Sequence, residues 1–174
     1  MAMFKMLSRH LDRFRRDQRG AVLVEMTLIT PLMLFLSAGV FEFGNLIHDK
    51  LLMEAGLTDG ARFAARCNSQ MYTDAGLTIN CAGTAANIAV FGNAAGTGNA
   101  RIATWQTSNV TVNTAFACND AVVSGVTRYR STTAQVCTVR VAGTFPYTGV
   151  GMLSIIGIGP ITLSGYHDER LIRF

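Results

Sequence analysis

Apolar positions dominate one early stretch of the chain and then settle into two different rhythms. From Ala21 to about Val40 they run almost unbroken, interrupted by Glu25 and Pro31. About 20 residues at 1.5 Å each cross a hydrocarbon layer about 30 Å thick, so the run predicts a membrane-spanning helix. No proline intervenes from Phe43 to Arg66, where Leu46, Leu51, Met53, Leu57, Ala61 and Ala64 recur at three- and four-residue steps. That spacing predicts one continuous helix over 21–66, about 70 Å long, whose outer half is a spine for the chain that follows. Gly56, Gly60 and Ala64 fall every fourth residue on one face. Small residues there let another element come close, or else they mark a loose helix end.

Past Cys67 the pattern changes. "MYTDAGLTIN" (71–80) and "NAAGTGNA" (93–100) are rich in turn residues. "ATWQTSNVTVNTAFAC" (103–118) and "STTAQVCTVRVAGTFPY" (131–147) alternate polar with apolar and β-branched residues, as strands do. In the second, Val139 and Val141 face one way, Thr138 and Arg140 the other. "ITLSGYHDERLI" (161–172) suits a final strand. "GVGMLSIIGIG" (149–159) is apolar but too short to span a bilayer, and is expected as a buried helix or loop over the sheet. The fold class expected is α+β: a long N-terminal transmembrane and stalk helix, then a small antiparallel β-sheet domain.

Charge sharpens this division. The net charge of +4 is the sum of 15 basic and 11 acidic residues. Residues 1–20 hold six of the basic groups (Lys5, Arg9, Arg13, Arg15, Arg16, Arg19) and two of the acidic ones (Asp12, Asp17), so the whole excess lies in the leader. A balanced remainder argues against a nucleic-acid surface. Basic flanks stay cytoplasmic, which places the N-terminus inside and everything after Phe43 outside. Catalysis finds no support. His10, His48 and His167 are scattered, no nucleophile or metalloprotease motif occurs, and the glycines of 92–98 precede no convincing helix for phosphate. Tyr166-His167-Asp168-Glu169 reads as a solvated strand edge, and no cofactor or metal is expected.

Cys67, Cys81, Cys118 and Cys137 all fall in the exported part. An even count in an oxidising compartment suggests two disulfides, and no CxxC or zinc-spaced histidine favours metal. Of the three pairings, the sequential one, Cys67–Cys81 and Cys118–Cys137, closes two short loops and is the one expected.

Three readings compete for the N-terminus. It can be a secretory signal cut near Ala38, a plain signal anchor, or a prepilin leader cut after Gly20. The last explains more residues. Glycine lets the helix break for a protease. Glu25 then becomes the fifth residue of a chain starting at Ala21, where its carboxylate can pair with a neighbouring subunit's new ammonium. In the alternative, Glu25 snorkels to the headgroups; left alone in hydrocarbon it costs up to about 2.5–3.5 kcal/mol. Pro31 is expected to kink the span.

"RGAVLVEMTLITPLMLFLSAGVFEFGNLI" (19–47) resembles the start of TadE-like pseudopilins of the tight adherence (Flp pilus, type IVb-like) system. It has their basic leader, glycine, "VE" pair, internal proline and "EFG" close, with Met26 where Flp-type prepilins usually carry an aromatic. "LLMEAGLTDGARFAAR" (51–66) also resembles the family, and "VRVAGTFPYTGVGMLSIIGIGPITLSGYHDERL" (139–171) does so more weakly. The resemblance implies a minor pilin or pseudopilin in the biogenesis of an adhesive filament. Its partners would be the inner membrane, a prepilin peptidase, other pilin or pseudopilin subunits and the pilus assembly complex. It also implies an assembly role for Glu42, which by position alone is equally a solvated interfacial group. The organisation expected is a cytoplasmic leader 1–20, a transmembrane segment 21–42, a helical stalk 43–66 and a periplasmic domain 67–174. The other functions in play are a soluble periplasmic binding domain and a single-span envelope protein outside any filament.

Overall fold

A computed structural model describes residues 19–129, 134–149, 151–155 and 157–172. Residues 1–18 of the expected leader lie outside them. The chain divides into two units, Met1–Phe43 and Gly44–Phe174. One helix, α1 (Arg19–Arg66, 48 residues), contributes to both.

In the first unit, α1 presents its apolar side chains outward. Val22, Leu23, Leu28, Leu34, Phe35 and Val40 are all more than half exposed, which is unfavourable in water and favourable in lipid. Two of the three hydroxyls on this stretch bond back onto the helix: Thr27 Oγ1 donates to Leu23 O at 2.7 Å and Ser37 Oγ to Met33 O at 2.8 Å. Such bonds satisfy a hydroxyl without water. The helix continues through Pro31.

The second unit is built on residues 44–66. The element order after α1 is α2 (Ser69–Asp74), α3 (Cys81–Phe91), β1 (Val110–Asp120), β2 (Val122–Val123), β3 (Val126–Thr127), β4 (Gln135–Tyr147), α4 (Met152–Ile155) and β5 (Ile161–Arg170). Strands β1, β4 and β5 form an antiparallel sheet in the order β1-β4-β5, and β2 with β3 makes a separate hairpin. Val139, Val141, Phe145, Tyr147 and Leu163 on the inner sheet face join Met53, Leu57, Ala61 and Ala64 of α1 in one core. The directly paired Gly143 and Gly165 let the helix lie close: a Cβ on Gly143 would stand 3.0 Å from Leu57 Cδ2, and one on Gly165 3.2 Å from Met53 Cε.

The small-residue stripe receives α3. A Cβ on Gly56 would collide with the carbonyl oxygen of Ala89, and one on Gly60 would sit 2.8 Å from that of Ala85. Helix α3 itself departs from the strand-and-loop expectation for this region. Its start is fixed by Asn80, whose side chain accepts from Gly83 N at 2.9 Å, and its end by Gly92 at φ 73°. These are ordinary capping signals around an alanine-rich segment. The alternation over 103–109 likewise does not become strand. Trp105 turns inward, 2% exposed, and donates its indole N–H to Thr144 O at 3.1 Å, while Thr107–Asn109 form a 3-10 turn. Burying that ring and its polar edge together overrides the local β pattern.

Two disulfides close the sequential loops. Cys67–Cys81 ties the end of α1 to the start of α3, and Cys118–Cys137 joins directly opposed residues of β1 and β4. The C-terminal segment is fastened to the same end, Leu171 N donating to Cys137 O and Ile172 N to Ala65 O.

Candidate functional site

The residues singled out in the N-terminal segment all sit on α1. Gly20 and Ala21 are already in helical backbone, so the helix is not broken at Gly20, and nothing lies within 4 Å of a Cβ placed there. Glu25 is exposed one turn further on, the i+4 neighbour of Ala21. Pro31 removes the N–H that would have bonded Thr27 O. Glu42 behaves differently from its surroundings. It is 2% exposed while Phe41 and Phe43 beside it are 73% and 58% exposed, so it is not the solvated interfacial group that one reading expected. A carboxylate that deep needs a partner, and Glu42 is not without an interaction.

A second concentration of chemistry lies on the outer face of the sheet. Arg140 on β4 forms a bidentate pair with Asp168 opposite it on β5, Nε to Oδ1 at 2.7 Å and Nη2 to Oδ2 at 2.6 Å. The guanidinium lies between two rings, 3.6 Å from the Phe116 centroid and 4.1 Å from that of Tyr166. Phe116 reaches it because the β1–β4 register shifts between Asn113 and Ala117. The hydrogen bond from Arg140 holds the Asp168 carboxyl below its ordinary range, and Asp168 in turn raises Arg140. The "YHDE" segment is therefore divided by the strand's alternation. Tyr166 and Asp168 join this outer stack, while His167 and Glu169 face α1. His167 Nδ1 lies 3.4 Å from Thr58 Oγ1, and Glu169 lies 3.8 Å from Arg62 Nε. Among the described residues, no group of His, Cys, Asp and Glu is placed to hold a metal ion.

An exposed apolar helix at the N-terminal side and a disulfide-bonded α+β domain after it define a class: a small α+β domain with a single long apolar N-terminal helix. That helix is the one element among the described residues long and apolar enough to cross a membrane. It also carries the family signature, for the sequence model of the TadE-like protein family matches residues 20–62. Residues 20–62 are thus similar to that family, and the match covers the helical segment alone. No curated protein and no solved structure matches the chain. Glu25, Pro31 and Glu42 fall inside the matched span. The Arg140 stack, Trp105 and both disulfides fall outside it.

Proposed function

We propose that this chain is a minor pilin or pseudopilin of a tight adherence, type IVb-like pilus, made as a single-span inner-membrane precursor and cut after Gly20. In this reading the leader stays cytoplasmic and the domain from Gly44 onward is periplasmic. The mature chain associates with other pilin subunits and the assembly complex through its helix. The observation that carries the reading is the union, on α1, of an outward-facing apolar surface with an exposed carboxylate at Glu25 inside the TadE-like span. A water-soluble helix would not leave that surface bare, and a simple anchor has no use for Glu25. Once Ala21 is the first residue, its ammonium supplies the partner, from a neighbouring subunit. Pro31 bends the span within the assembled helices, and Glu42 serves as a fixed polar contact rather than a hydrated one.

Gly20→Leu tests the processing step. The position is open, so a leucine disturbs nothing in the fold. The bulky side chain blocks the peptidase, and full-length precursor accumulates in the membrane fraction. Normal maturation of this variant would refute cleavage at Gly20.

A further inference from the structure

The outer face of the sheet holds a groove that the core does not use. Cross-strand register builds its walls. Thr111, Ala142 and Tyr166 stand directly opposite one another on β1, β4 and β5 and form one row; Thr144 and Ser164 form another. The row between them, Val110, Gly143 and Gly165, turns toward the core: Val110 packs against it, and a Cβ on either glycine would meet Leu57. The floor of the groove is therefore bare backbone. Ser108 and Asn109 line its β1 end, Lys50 and Glu54 its β5 end, and the open space is about 590 Å³. The lining carries no net charge. Lys50 and Glu54 are its two charged residues, and Lys50 is already engaged, pairing with Glu54 at 3.1 Å and donating to Ser164 O. The side chains of Thr111, Thr144 and Ser164 are exposed, and each hydroxyl can both donate and accept. Tyr166 stands between the groove and Arg140. The guanidinium covers one side of its ring, 4.1 Å from the centroid, yet the residue remains 63% exposed where it lines the groove.

These features select a ligand by exclusion and by fit. The lining offers no cation free of a carboxylate, as a phosphate or a nucleic acid would need, and no large aliphatic side chain, as a lipid would need. An extended peptide lying in the groove would cross the strands, where the backbone groups are used within the sheet and cannot receive an added strand. A sugar ring fits both halves of the lining. Its flat C–H face stacks on an aromatic ring, and its hydroxyls donate to and accept from hydroxyls and amides. We propose that this groove is a binding site for a neutral oligosaccharide, with Tyr166 as the stacking platform and Asn109, Thr111, Thr144 and Ser164 as the hydrogen-bonding groups. The site lies wholly within the second unit. It goes beyond the pilin reading and does not depend on cleavage at Gly20.

The full chain in lipid nanodiscs tests this, with empty nanodiscs as the blank. The probe is an array of gluco-, manno- and galacto-oligosaccharides and their N-acetylated amino-sugar counterparts, with sialylated oligosaccharides as the charged comparison. Wild type binds at least one neutral class, and raising the salt does not weaken that binding, because no ion pair is made. Tyr166→Ala lowers it by about tenfold, the scale of losing one aromatic platform under a stacked ring, and Tyr166→Phe retains most of it. Thr144→Leu, at an exposed position, fills the groove and lowers binding to a similar extent, with both disulfides still mapped in the variant. Binding to no member of the array overturns the proposal, as does wild-type binding by both Tyr166→Ala and Thr144→Leu. Binding confined to the sialylated members and lost at high salt overturns it in favour of an anionic ligand. Nanodiscs that capture no sugar but pair with one another, and cease to with Tyr166→Ala, overturn it in favour of a contact between copies of this chain.

Discussion

At the scale of single residues, two carboxylates are governed by opposite surroundings. Asp168 is stabilised as the anion by Arg140, so its proton is bound less tightly in the folded chain than in the unfolded one. The unfolded state therefore takes up the extra proton as pH falls, and the pair's contribution is complete above the ordinary carboxyl value of 3.8 and lost as pH drops below it. Unfolding followed against pH should show Asp168→Asn less sensitive than wild type between about pH 4 and pH 2. An unchanged slope would mean that the pair adds nothing to stability. Glu25 is exposed on the apolar helix instead, where the proposed function puts lipid. Glu25→Ala should still insert, since it removes a charge from hydrocarbon, yet lose cross-linking between neighbouring subunits in membranes. Equal cross-linking would assign Glu25 to snorkelling.

Elements show where close approach replaces chemistry. Gly56 and Gly60 are unfavourable in a helix by about 1 kcal/mol each, and the compensation is α3 lying against them. Gly56→Leu should destabilise the domain by about 1–3 kcal/mol, because a backbone carbonyl cannot yield as a side chain would. Gly44→Ala, with nothing within 4 Å, should be neutral or stabilising by up to about 1 kcal/mol. Denaturant melts of the two variants separate packing from propensity. The glycine spacing, the long helix and the inward valines of β4 could be read in the sequence because each is a period along one element. Helix α3 was legible in principle, from Asn80 and Gly92, but turn-forming residues on both sides masked an 11-residue segment. The inward turn of Trp105 and the Phe116–Arg140–Tyr166 stack were not legible. Each depends on which distant element arrives opposite, and, for Phe116, on a register shift that alternation does not encode.

For the whole molecule, the two disulfides and the N-terminal helix bear on the same question of where the chain lives. Peptide mapping of non-reduced protein from the native envelope should find Cys67 joined to Cys81 and Cys118 to Cys137. Removing either bond by paired Cys→Ser changes should cost about 3 kcal/mol, from loops of 14 and 19 residues. Four free thiols would contradict an oxidising compartment. The central claim is that the helix is a processed assembly element and not a disposable signal or a plain anchor. The intact mass of the protein extracted from membranes tests it most directly. The account predicts a chain that has lost residues 1–20 and begins at Ala21 with Glu25 fifth. A chain beginning near Gly39, or one that keeps its whole leader, would contradict it.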